Sequence, residues 1–217
     1  MPPFAFQVVK NERVFVLEAL LKTVPEDQLA ALREAYASPP RAYHHFGHVE
    51  DVLRHYADVL RDDGWRHPRE ALFAVLYHDA VYVPGRSDNE AVSARLAEDH
   101  LRRWPQPDGL DIARITASIL LTARHGALAP EDIEDEDTRR FLDCDMAILG
   151  AAPEVFAAYD RAIAEEYRSV PRWLYRIKRR QFFRRLLAQP RIFLSDLFRD
   201  RYEAQARRNL AAALDGD

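Results

Sequence analysis

The chain has 217 residues, 48% of them hydrophobic and 30% charged, with a formal charge of -4. This composition suits a sizeable soluble core and argues against disorder. The negative balance gives no general attraction to nucleic acid or anionic membrane, no apolar run reaches the roughly 18 residues of a membrane span, and the lone Cys144 excludes an internal disulfide or a thiolate metal cluster.

The first residues lack the basic start and long apolar core of a signal peptide, so a reducing cytoplasm is the expected compartment. Seven glycines and few alternating runs leave little room for sheet, while apolar residues recur at three- and four-residue spacing. We expect an all-α fold. The elements follow in order: a helix over Glu12 to Thr23, one opened by Pro25 and running to Ala37, a break at Pro39-Pro40, and a helix from His45 to Arg61. On that third helix the three- and four-residue spacing puts His44, His48 and Asp51 or His55 on one face.

Pro68 opens a helix through the apolar run Ala71 to Tyr77, ending at His78-Asp79. A loop over Val83 to Asp88 follows, with Ser87 or Asp88 as N-cap of a helix from Asn89 to Arg103. After the break Trp104-Pro105-Gln106-Pro107, a helix from Leu110 to Arg124 should turn Ile112, Ile115, Ile119 and Leu120 inward and stop at His125-Gly126. The acidic stretch Glu131 to Asp137 reads as a solvated connection. Helices over Glu136 to Leu149 and Pro153 to Ser169 come next, then a strongly basic one after Pro171 and a last one from Asp196 to Leu214. With no repeat and no low-complexity stretch, residues 1–217 read as a single domain. An apolar face on the last helix could serve a homodimer or close the core.

Three dispersed pieces carry chemistry: Tyr43-His44-His45-Phe46-Gly47-His48, His78-Asp79, and Phe141-Leu142-Asp143-Cys144-Asp145. They supply imidazoles and carboxylates, the ligand types of divalent transition metals. Asp79 follows an apolar run, where an unpaired charge would be costly, so a metal, a cation or a strong donor is expected beside it.

In this order, with the segments His78-Asp79-x-Val81-Tyr82, Asn89-Glu90-x-x-Ser93, Thr122-x-x-His125 and Leu142-Asp143-x-Asp145-x-x-x-Leu149-Gly150, the chain resembles the HD superfamily of metal-dependent phosphohydrolases, in particular its small standalone members. The resemblance runs from about Arg41 to Leu214. It implies an HD-type helical bundle with a metal-site core over about 41–150 and helices 153–214 packed on it. It also implies a divalent ion (Mn, Fe, Co, Zn, Ni or Mg) on His48, His78, Asp79 and Asp145. The implied activity is hydrolysis of a phosphoester of a small phosphorylated metabolite, by family analogy a nucleotide.

Asp79 would double as proton acceptor. Asp143, two residues from Asp145, is either solvated or a support for the ligands. His44, one turn before His48, is a candidate for contact with substrate phosphate or with the ligands, and equally for packing. His45 stands where relatives suggest asparagine. His125 is expected near the substrate; in HD proteins with two metals, extra histidines hold the second ion, and His100 is a weaker candidate of that kind. Asn89 and Glu90 are candidates for substrate binding and proton transfer, or for a favourable charge at a helix N-terminus. Tyr82 and Val83 occupy the positions of an acidic pair in alarmone hydrolases, which argues against that chemistry unless Glu90 takes over. Arg179, Arg180 and Arg124 could reach a phosphate in a bidentate pair, or their stems could simply cover apolar surface. The alternatives are an HD-type di-iron oxygenase and a non-catalytic metal- or nucleotide-binding module.

Overall fold

The structure, a computed structural model, describes residues 18–37, 41–106 and 108–216. These are all-helical: α1 (Glu26–Ala37), α2 (Phe46–Asp62), α3 (Pro68–Tyr77), α4 (Asn89–Arg103), α5 (Ile112–Thr122), α6 (Glu136–Met146), α7 (Pro153–Glu166), α8 (Arg172–Ala188) and α9 (Asp196–Asp215), with short 3-10 turns at Pro130–Asp132 and Ala147–Gly150. The first expected helix is seen only as a helical turn over 18–21, and its earlier part lies outside the described residues, as do Pro39, Pro40 and Pro107.

The helix starts obey local chemistry. Pro68 and Pro153 occupy first-turn positions, where a missing N–H costs nothing. Asp111, Asp135 and Ser195 accept from the backbone N–H of Arg114, Thr138 and Phe198. His45 does the same work with a ring nitrogen, Nδ1 accepting from the Gly47 N–H at 2.9 Å, which accounts for a histidine at this position. Asp88 precedes α4 but does not cap it, because its carboxylate is taken by the guanidinium of Arg86.

α3 is the central element. Every residue from Ala71 to Tyr77 is buried, as expected of a helix apolar all round. α2, α5 and α6 pack on it, and α4 packs against both α3 and α5. On α5 the buried stripe is Ile115, Ile119 and Thr122; Leu120, a hundred degrees off that stripe, is exposed rather than inward-facing. α9 closes the bundle from the far side with Phe198, Ala206 and Leu210 buried inside the chain, so its apolar face completes the core.

Two buried carboxylates tie the helices together. Asp137 is not in a solvated connection: it accepts from the backbone N–H groups of Arg66 and His67, at 3.1 and 2.6 Å, ahead of α3. Asp143 is buried and not solvated: it takes the N–H groups of Leu194 and Ser195 and the Ser195 hydroxyl, at 2.7, 2.7 and 2.6 Å. It fastens the start of α9 to α6. Gly150 permits a related close approach, since a Cβ there would stand 2.6 Å from Tyr202 Cβ and 2.8 Å from Tyr202 O. No helix among the described residues is long and apolar enough to cross a membrane.

Candidate metal centre and adjoining cavity

α2, the end of α3 and α6 each deliver one part of a compact donor cluster. His48 sits on the third residue of α2, His78 caps α3, and Asp145 lies near the end of α6. His48 Nε2 is 3.0 Å from His78 Nε2 and 3.1 Å from Asp145 Oδ1, and His78 Nε2 is 3.6 Å from that oxygen. Asp79 Oδ2 stands 3.4 Å from His78 Nε2 and 3.7 Å from His48 Nε2. His48, His78 and Asp145 form a buried group that could hold a metal ion.

The donor set fits a divalent metal. Nitrogen and oxygen ligands about 2.1 Å from one ion stand about 3 Å apart when at right angles, the scale of the separations here. His78 Nδ1–H donates to the carbonyl of Val75 at 2.8 Å, which fixes the ring with Nε2 facing the cluster, the orientation that metal-ligating histidines take. Among the described residues no lysine or arginine pairs with the side chain of Asp79 or Asp145. Burial opposes a proton on His78, but the two aspartates outweigh it and raise this imidazole to about 9. For Asp145, burial acts upward, and the charge of His78 with hydrogen bonds from His125 and His48 overrides it, holding the carboxyl well below the usual range. The cluster is a negative field that favours a cation.

Arg41 holds the ligand loop. One Nη donates to the carbonyls of His44 and Asp79, at 2.9 and 2.7 Å, and the other to those of Ala35 and Ala80, both at 3.0 Å. Only a planar fork with this many N–H groups can serve four carbonyls from one position.

The cluster forms part of the wall of a cavity of about 730 Å³, reached through Asp79 and Asp145. His44 lines it, stacked on Tyr82 at 3.9 Å. Its Nδ1 is 2.6 Å from Glu166 Oε2, and its Nε2 is 3.8 Å from Asp79 Oδ2. The other oxygen of Glu166 accepts from the N–H groups of Tyr43 and His44, at 2.7 and 2.9 Å. Burial pushes the Glu166 carboxyl up, but His44 and these amides prevail and hold it at about 2. His125 also reaches the cavity and binds the second oxygen of Asp145, Nε2 to Oδ2 at 2.8 Å. No second group of three ligands that would make a two-metal site occurs among the described residues.

The other expected residues divide. Glu90 lines the cavity. Asn89 lines it too, but its amide is committed to the backbone of Val83, accepting from N and donating to O at 3.0 Å each, so it shapes the loop before α4. Arg179 is at the wall, over the rings of Tyr159, Phe182 and Phe183; its Nε donates to Asp160 at 2.9 Å, while Nη2 is buried without a partner. Arg180 points away and donates to the Leu214 carbonyl at 2.9 Å, and Arg124 is exposed outside the cavity. Helical phase explains Arg180, because neighbours on a helix are a hundred degrees apart; Arg124 lies in the turn that follows α5. Asp51 pairs with Arg54 in solvent, His55 packs on Phe198 and Tyr202, and His100 meets Tyr77 and Trp104.

Sequence reasoning missed Glu166, Lys178, Arg86 and the aromatic wall of Tyr43, Tyr82, Tyr159, Tyr167 and Tyr175. A signal existed in the spacing of Tyr159, Ile163 and Tyr167, which marks one face of α7. Nothing local ties that face to the metal cluster. The chain matches no protein-family model, no curated protein and no solved structure.

Proposed function

We propose that this protein is a metal-dependent phosphohydrolase of the HD type, acting in the cytoplasm on a small phosphorylated metabolite, with nucleotides the first class to test. The observation that carries the proposal is the junction of the His48, His78 and Asp145 donor cluster, with Asp79 3.4 Å from His78 beside it, with a cavity whose wall also bears Arg179, Lys178 and Arg86. A divalent ion on His48, His78, Asp79 and Asp145 would supply Lewis acidity, making a bound water more acidic and offsetting charge on a phosphate oxygen. Arg179 and Lys178 attract the anionic end of the substrate, and the unpartnered Nη2 of Arg179 has a donor to give.

The Asp79 carboxylate and His44 Nε2 face each other across 3.8 Å at the cavity wall, where a proton leaving water or reaching a departing oxygen can be taken or supplied. Glu166 holds the His44 ring in one orientation for that task. The tyrosine wall excludes bulk water and offers faces on which a flat base can stack. The test is metal content of protein purified without chelator, combined with phosphate release from a nucleotide panel with manganese, cobalt, magnesium or iron added. About one metal per chain with metal-dependent release supports the proposal. Two irons with oxygen uptake and no release would replace it with an oxygenase, and binding without turnover would replace it with a sensor module.

A further inference from the structure

The substrate cavity shares its outer wall with a second cleft. Tyr167, Val170, Tyr175 and Arg179 line both the cavity beside the metal cluster and a cleft of about 800 Å³ between α7 and α8. Six arginines line that cleft: Arg161, Arg168, Arg172, Arg176, Arg179 and Arg180. Only two carboxylates accompany them, and both are matched, Asp160 by Arg179 and Glu165 by Arg168. No carboxylate among the described residues pairs with Arg161 or Arg172.

A solvated helix usually offsets such a run with acidic residues one turn away. α8 has none in its 17 residues. Nor does the surplus reflect the whole molecule, whose formal charge is -4. A dense local cation field on an acidic protein, continuous with a phosphate-handling site, concentrates ligands that carry more than one phosphate. Guanidinium groups pair with phosphate in a bidentate fashion. At the shared wall, the rings of Tyr167 and Tyr175 pack on each other at 5.7 Å, an aromatic surface that joins the two recesses.

We propose that the α7–α8 cleft binds phosphates of the substrate remote from the bond that is cleaved, so that the preferred substrate is a nucleotide extended by a phosphate chain or by a second nucleotide. This rests on the phosphohydrolase reading for the first phosphate. The experiment uses the full chain and three probes, AMP, ATP and the 5'-phosphorylated dinucleotide pTpT, with affinities measured by calorimetry at low and high salt. The wild type is expected to bind ATP or pTpT at least tenfold more tightly than AMP, with the advantage shrinking as salt rises. ATP ahead of pTpT assigns a phosphate chain, and the reverse order a second nucleotide.

In the double variant Arg161→Glu/Arg172→Glu the advantage over AMP should collapse. Both side chains are exposed, and Arg161→Gln/Arg172→Gln provides a milder version should the first melt early. Equal affinity for all three probes in the wild type, or an advantage that survives charge removal, overturns the inference. Phosphate release by the wild type separates the two readings: release from AMP with no preference for longer probes sinks the cleft alone, and a salt-sensitive preference without release from any probe sinks the hydrolase alone.

Discussion

Glu166 Oε2 stands 2.6 Å from His44 Nδ1, a contact made across 122 residues of chain. A carboxylate at this nitrogen accepts the Nδ1 proton and turns Nε2 toward Asp79 and the cavity, the arrangement by which a buried acid orients a histidine for proton transfer. Glu166→Gln should therefore lower phosphate release about a hundredfold with KM and metal content little changed. Loss of metal together with activity would instead make Glu166 a structural support of the cluster.

The same residue gives a pH prediction. Its folded pKa of about 2 lies below the 4.5 of a free glutamate, so its contribution is complete above about pH 4.5 and is lost as pH falls toward 2. That contribution amounts to at most about 3 kcal/mol. Urea unfolding should show the wild type ahead of Glu166→Gln at pH 6, with the gap narrowing below pH 4. A constant gap would rule out this linkage.

His78→Ala and Asp79→Asn should each weaken metal binding by more than about tenfold and remove activity while helical circular dichroism persists. With the wild type, saturating metal should also raise the unfolding free energy, by about 2.7 kcal/mol at a hundred times Kd. Retention of metal and full turnover in both variants would end the site assignment.

Arg41 binds four carbonyls that belong to both sides of the ligand loop. Lysine keeps the charge but not the fork, so Arg41→Lys should cost about 2–4 kcal/mol in chemical unfolding. It should also loosen metal affinity by roughly tenfold through the displaced Asp79. A variant as stable as the wild type would show that water replaces the fork without loss.

Lys178 is exposed at the cavity wall and has no partner among the described residues. Lys178→Gln should leave the melting temperature within a degree or two, because no packing is lost, and raise KM for a phosphorylated substrate about tenfold with kcat nearly constant. A fall in kcat at fixed KM would place the lysine at the transition state instead.

Much of the fold could be read from local rules. Proline at a first helical turn, aspartate or serine before it and three- and four-residue apolar spacing set most of the helix limits, because each acts within one or two turns of its own backbone. Of the cluster, only His78-Asp79 carried a local signal, a charge at the end of an apolar run being costly unless it meets a partner; that His48 and Asp145 join it was expected from the resemblance to HD proteins. What the tertiary structure alone decided is which faces meet. Asp143 and Asp145 differ by two positions, and packing against α9 made the first an anchor while the second turned to the cluster. Arg179 and Arg180 are adjacent, yet one lines the cavity and the other ties down the last helix. Glu166 carries no local mark at all. A helix sets the direction of each side chain relative to its own axis, but its rotation against its neighbours comes from burying apolar surface over the whole bundle, and that rotation chose His44 as the partner of Glu166.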